Sequence, residues 1–178
     1  MTRAYIGVGS NISPGANIKT AIRLLARQVR LVRFSTFYRT PAEGRPEQPD
    51  YINGVVVIET GLTPESLKHK VLRPIEHRLG RRRTDDTFAP RPIDLDLLLY
   101  GSQQVQTTDL RLPAEDIEKR AFVAIPLSEV APDLMLPGTG ISIRDIAAKF
   151  TNFHMTRLTL SNELRGYCAK SGGTDECR

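Results

Sequence analysis

The order in which strand-like and helix-like hydrophobic periods follow one another constrains this chain most. Residues 3–9, Arg3-Ala4-Tyr5-Ile6-Gly7-Val8-Gly9, read as a first strand. Ser13-Pro14 then supplies a capping residue and a proline at the first helical position, and Ile18, Ala21, Ile22, Leu25 and Val29 follow at helical spacing. Residues 31–39 alternate loosely as a second strand, and the Val- and Ile-rich residues 51–59 form a third. Thr63-Pro64-Glu65 opens a second helix with Leu67, Val71, Ile75 and Leu79 as its buried stripe and Gly80 as its end. Pro74 predicts a kink there, because proline removes a backbone donor. Residues 93–100 are a fourth strand. The sequence strand–helix–strand–strand–helix–strand predicts an α+β fold: a ferredoxin-like βαββαβ core, an antiparallel sheet with helices packed on one side of it.

The remainder predicts a small hairpin within 104–112 and helical stretches near 121–130 and 143–150, with no repeat and no second core. From residue 162 the chain turns polar and rich in Gly and Ser, which predicts one domain over 1–160 and a disordered tail over 161–178. At 178 residues, 40% hydrophobic and 25% charged, one domain has enough material for a core. No apolar run is long enough to span a bilayer, and the N-terminus lacks the pattern of a secretion signal. A cytoplasmic location is therefore expected. Cys168 and Cys177 read as two free thiols, without the nearby His that would suggest zinc.

Chemistry concentrates in four places. Asp94-Leu95-Asp96 sits inside the fourth strand, where residues two apart share a face. Two adjacent carboxylates repel one another, and a divalent cation such as Mg²⁺, held by one or two carboxylates with phosphates and waters, resolves the conflict. Upstream lies an excess of positive charge: Arg78, Arg81, Arg82, Arg83 and Arg91 contribute much of the net +5. Guanidinium groups match phosphate oxygens, so the carboxylates and arginines together predict an ATP site for phosphoryl-type transfer. Tyr51 and Asn53 share one strand face, a ring to stack on a flat heterocycle and a carboxamide to bond its edge. Two Pro/Gly-punctuated loops, 40–50 and 81–92, flank these residues, and loops of that length are commonly functional. His69, His77 and His154 show no ligand spacing.

These segments together resemble the 6-hydroxymethyl-7,8-dihydropterin pyrophosphokinases of folate biosynthesis. The likeness rests on Gly9-Ser10-Asn11, Phe37-Tyr38-Arg39-Thr40-Pro41, Gln48-Pro49-Asp50-Tyr51-Ile52-Asn53, Ile75-Glu76 with Leu79-Gly80-Arg81-Arg82-Arg83, and Pro90-Arg91-Pro92-Ile93-Asp94-Leu95-Asp96-Leu97. It covers about residues 3–150. The resemblance implies transfer of the β,γ-diphosphate of ATP to the pterin hydroxymethyl group, with release of AMP. It implies two Mg²⁺ on Asp94 and Asp96, and Arg81 and Arg91 as catalytic arginines at the triphosphate. Glu76, Arg83, Leu97 and Arg120 are expected around ATP. Tyr51 and Phe122 are expected to stack on the pterin, and Asn53 and Thr40 to bond it, with Gly9 and the Pro41, Ala42 and Glu43 segment alongside. Small-molecule substrates, no nucleic acid, no membrane and a monomer or weak dimer complete the expectation.

The departures from the family pattern lie on the nucleotide side. Ala114-Glu115 stands where the family usually has a His followed by an aromatic or Pro, and Thr87 where a basic residue is common. Asp85 and Asp86 add negative charge, and Arg73 is the candidate replacement for a lost positive one. The alternative reading is a pterin-binding homologue with weak or reassigned transfer.

Overall fold

The computed structural model describes residues 1–170 except 83, 85 and 87, and side chains through Cys168. A six-stranded antiparallel sheet carries the fold. Its strands are β1 (Thr2–Ser10), β2 (Arg30–Phe34), β3 (Phe37–Thr40), β4 (Tyr51–Thr60), β5 (Asp94–Tyr100) and β8 (Thr156–Leu158). The order is β5-β1-β4-β3-β8, with β2 also on β4. Taking β2 and β3 as two halves of one strand gives the expected ferredoxin-like order. The halves part at Ser35 and Thr36, and Ser35 bridges the gap: its N–H donates to the Val55 carbonyl (2.9 Å) and its hydroxyl accepts from the Val55 N–H (2.8 Å). A two-stranded ribbon, β6 (Val105–Gln106) and β7 (Arg111–Leu112), lies apart.

The helices are α1 (Pro14–Leu25), α2 (Pro64–Leu67), α3 (Arg73–Arg78), α4 (Asp116–Lys119), α5 (Ala121–Val130), α6 (Ile143–Ala148), α7 (Leu160–Leu164) and α8 (Gly166–Lys170). They cover both faces of the sheet, not one. On the first face Ile18, Ile22 and Leu25 of α1 and Ile75 of α3 pack against Ile6, Val8, Val56 and Ile58. On the second, Ile117, Val123, Leu127 and Ile146 from α4, α5 and α6 pack against Tyr5, Val55, Val57 and Leu98. A second apolar cluster therefore exists. Its physical cause is the run Val55-Val56-Val57, which presents apolar side chains to both faces because successive residues alternate.

Local details depart from the sequence rules in instructive ways. Ser13 precedes α1 with φ +42 and makes no side-chain cap; its carbonyl instead accepts from the N–H groups of Ala16 and Asn17. Thr63 caps α2 as expected, accepting from the Ser66 N–H at 3.2 Å. The kink expected at Pro74 takes the form of a π turn over Lys68–Leu72 between α2 and α3, closed by the Arg73 N–H on the Lys68 carbonyl. The wider turn relieves the clash that a proline ring makes with the preceding turn.

The tail reading fails over 161–170. Leu160, Leu164 and Cys168 recur every fourth residue and are buried against the first-face core, so α7 and α8 are anchored by packing. Cys168 is disulfide-bonded, which corrects the free-thiol expectation for that residue; Cys177 lies outside the described residues.

Candidate active site

Register builds the site. On β1 the odd-numbered residues face the second side of the sheet. Gly9 pairs with Asn53 on β4 and with Asp94 on β5; Gly7 pairs with Val55 and Asp96. The central strand thus offers a floor without side chains, walled by Tyr51 and Asn53 on one neighbour and by Asp94 and Asp96 on the other. The two walls stand two strand spacings apart, about 9–10 Å. A Cβ on Gly9 would lie 2.8 Å from Asn53 Oδ1, so any larger residue there displaces that carboxamide.

The resulting cavity holds about 170 Å³ and is lined by Gly9, Thr40, Pro41, Ala42, Glu43, Tyr51, Asn53, Phe122, Arg91, Arg120, Asp94 and Asp96, among others. The structure therefore gathers every residue that sequence placed on the pterin side together with both carboxylates. Asn53 is buried and its Nδ2 donates to Thr40 Oγ1 at 2.8 Å, which fixes the amide orientation. Arg120 sits at the rim rather than in a separate nucleotide pocket. Its Nε donates to Asp116 (2.9 Å), its Nη1 pairs with Glu43, and its guanidinium lies 5.6 Å from the Phe122 ring centre.

The carboxylates differ. Asp94 is buried and doubly paired, with Arg81 Nη1 at 2.5 Å from Oδ1 and Arg91 Nη1 on Oδ2. Burial alone would raise its carboxyl; Arg81 and then Arg91 outweigh that and hold it below the usual range. Asp96 reaches solvent inside the cleft but is crowded by protein, and it has no ion-pair partner among the described residues. Desolvation first, then the charges of Asp94 and Glu76, push its carboxyl up to about 7. Asp96 is thus an oxygen donor without an ion-pair partner among the described residues, beside an Asp94 already paired with two arginines. No cluster of three or more His, Cys, Asp or Glu suited to a metal occurs among the described residues. Two carboxylates on one strand face are a donor set of the kind Mg²⁺ takes, the rest of its shell being left to water and phosphate.

A second hollow of about 350 Å³ adjoins the first through Asp96, Leu98 and Asp116, and includes Lys68, Arg73, Leu97, Arg111, Ala114 and Glu115. Arg73 and Leu97, expected around ATP, both line it. Glu76 does not: it is buried, lines neither hollow, and accepts from the Leu95 N–H (2.9 Å) between the two aspartates, with Arg81 Nη1 at 3.7 Å. Glu76 therefore holds the strand that carries the carboxylates. Arg83 lies outside the described residues.

Sequence reasoning missed Asn11 as a junction. Its Oδ1 accepts from the Arg91 N–H (2.7 Å), its N–H donates to the Arg91 carbonyl (3.1 Å), and its Nδ2 reaches Gln48 Oε1 and the Pro49 carbonyl (both 3.3 Å). The two loops also meet directly, through Gln48 Nε2 on the Phe88 carbonyl (2.8 Å) and Arg45 with Asp86 (3.1 Å). Gly7 was the other omission, although its two-residue spacing from Gly9 was readable.

Residues 5–132 match the family described as 7,8-dihydro-6-hydroxymethylpterin-pyrophosphokinase (HPPK). The chain is 38% identical over 161 residues to the 2-amino-4-hydroxy-6-hydroxymethyldihydropteridine pyrophosphokinase of Haemophilus influenzae, covering 89% of this chain and 99% of that one. It is 43% identical over 152 residues to the enzyme of that name from Methylorubrum extorquens, covering 84% and 94%. Among solved structures, wild-type Plasmodium falciparum HPPK-DHPS is similar in fold, with a TM-score of 0.65 at 12% identity, over 84% of this chain and 44% of that longer one.

Proposed function

The chain belongs to the 7,8-dihydro-6-hydroxymethylpterin-pyrophosphokinase family, and from that premise we propose that it transfers the β,γ-diphosphate of ATP to the hydroxymethyl group of 6-hydroxymethyl-7,8-dihydropterin in the cytoplasm, as a step of folate biosynthesis. The observation that carries the reading is the register of three adjacent strands, which puts Asn53, the glycine floor and the two aspartates in one cleft.

The pterin ring lies over Gly7 and Gly9, stacked between Tyr51 and Phe122, its polar edge bonded to Asn53 and Thr40. Its hydroxyl oxygen attacks the β-phosphorus. The bond from that phosphorus to the α,β-bridging oxygen breaks, AMP leaves with the oxygen, and the hydroxyl proton passes to solvent. Asp94 and Asp96 would hold two Mg²⁺ ions, which would supply positive charge to the phosphates. Arg81 and Arg91 leave Asp94 to meet charge that develops on the transferring group. The nucleotide extends into the second hollow past Arg73. The loops 41–50 and 81–92, joined through Asn11, close over the reactants and exclude water.

The test is a steady-state assay with hydroxymethyl-dihydropterin, ATP and Mg²⁺. Equal amounts of AMP and pterin diphosphate, abolished by chelator, support the proposal. No AMP above the protein-free blank, with pterin still bound, rejects it in favour of a binding homologue, the reading that Ala114 and Glu115 in the nucleotide hollow would favour.

A further inference from the structure

We propose that Glu115 limits nucleotide affinity: it sets its own negative charge in the hollow and holds Arg111 on its carboxylate, away from the triphosphate. The inference rests on the reading of the second hollow as the nucleotide site. Its lining carries three cations, Lys68, Arg73 and Arg111, and three carboxylates, Asp96, Glu115 and Asp116. Glu115 and Asp116 alone offset two of the three cations, a poor match for a polyanion. Two of the carboxylates have other work. Asp96 faces the proposed cation site, and Asp116 bonds Arg120 at 2.9 Å. Glu115 has none in the proposed reaction. Its Oε1 instead takes Arg111 Nη1, and its Oε2 takes Lys119 Nζ.

Lys119 first and Arg111 next hold the Glu115 carboxyl below the usual range, so it stays ionised at neutral pH. Glu115 also lines a further hollow with Arg111, Gln104 and Gln106, so its charge stands between the two spaces. The pairs are solvent-exposed, with side-chain exposures of 58% for Arg111 and 39% for Glu115, and exposed pairs are individually weak. Arg111 can therefore be redirected at little cost once Glu115 is neutral. A triphosphate then meets one fewer negative charge and one more available guanidinium.

Glu115→Gln keeps the size and removes the charge. Binding is read by calorimetry with a non-hydrolysable ATP analogue and Mg²⁺, without pterin. At low salt the Kd falls about three- to tenfold, on the scale of one charge acting across several ångströms of water. The gain shrinks at high salt, is smaller for AMP than for the triphosphate, and disappears in the double variant Glu115→Gln with Arg111→Gln. The pterin Kd does not move. Nucleotide binding by the wild type that is unchanged or weaker in Glu115→Gln overturns this inference alone. Absence of nucleotide binding in both proteins overturns the nucleotide reading of the hollow and the inference with it. Unfolding curves of the two proteins confirm that the comparison is between folded chains.

Discussion

Gly9→Ala tests the floor of the cleft with one methyl group. The added Cβ would sit 2.8 Å from Asn53 Oδ1 and 3.9 Å from Asp94 Cβ. The first distance is well inside van der Waals contact, and the second is ordinary. The carboxamide must therefore turn away, and its Nδ2 loses the buried 2.8 Å bond to Thr40. Losing such a bond and leaving its groups unpaired costs about 1–3 kcal/mol. For a chain of this size that lowers Tm by about 3–10 °C. The same displacement removes a hydrogen-bonding partner of the pterin edge, so the pterin Kd rises about ten- to a hundredfold. Nucleotide binding with Mg²⁺ stays within about twofold, since neither carboxylate is displaced. Calorimetric titration with hydroxymethyl-pterin and separately with an ATP analogue reads both. Gly15→Ala is the control: nothing lies within 4 Å of its added Cβ. Wild-type pterin affinity in Gly9→Ala would refute the argument that the ring rests on this strand.

Gly54→Ala acts on the opposite face, where its Cβ would fall 2.7–2.8 Å from three atoms of the fully buried Phe37 ring. Overpacking of this kind costs about 1–3 kcal/mol, read as a lower denaturant midpoint, and an unchanged midpoint contradicts the tight packing. Asp96→Asn should stabilise the chelator-treated protein in a pH-dependent way. The wild-type carboxyl is raised in the folded state from an ordinary value of 3.8 to about 7. Its contribution is therefore intact below pH 3.8 and is lost as the pH climbs to about 7. The Tm advantage of the variant emerges across that window and is level above it; a gain that grows instead on acidification is the contrary result.

How much of this was legible in the chain follows from the range of each interaction. The pairing of Asp94 with Asp96, and of Tyr51 with Asn53, needs only the two-residue period of a strand, and α1 and α3 declare their faces through 3.6-residue stripes. The second apolar layer was harder. Helix α5, Ala121-Phe122-Val123-Ala124-Ile125-Pro126-Leu127, has apolar residues all round and no stripe to read. Its presence was signalled only indirectly, by a β4 strand apolar on both faces. The spacing Leu160, Leu164, Cys168 was visible too, but polar neighbours masked it. The junction at Asn11 links residues 37 and 80 positions away, and no local pattern encodes such contacts. Ser35 belongs to the same class, since a side chain standing in for a strand's ladder bond is seen only once β4 is in place.

Calorimetric binding of an ATP analogue with Mg²⁺ to wild type and Asp96→Ala, each followed by pterin alone, probes the carboxylate pair most directly. Loss of the nucleotide isotherm in the variant, with pterin affinity preserved, is the expected pair of results. Nucleotide that binds Asp96→Ala as tightly as wild type would mean that the acidic face of β5 does not hold the cation, and the proposed transfer site would have to lie elsewhere.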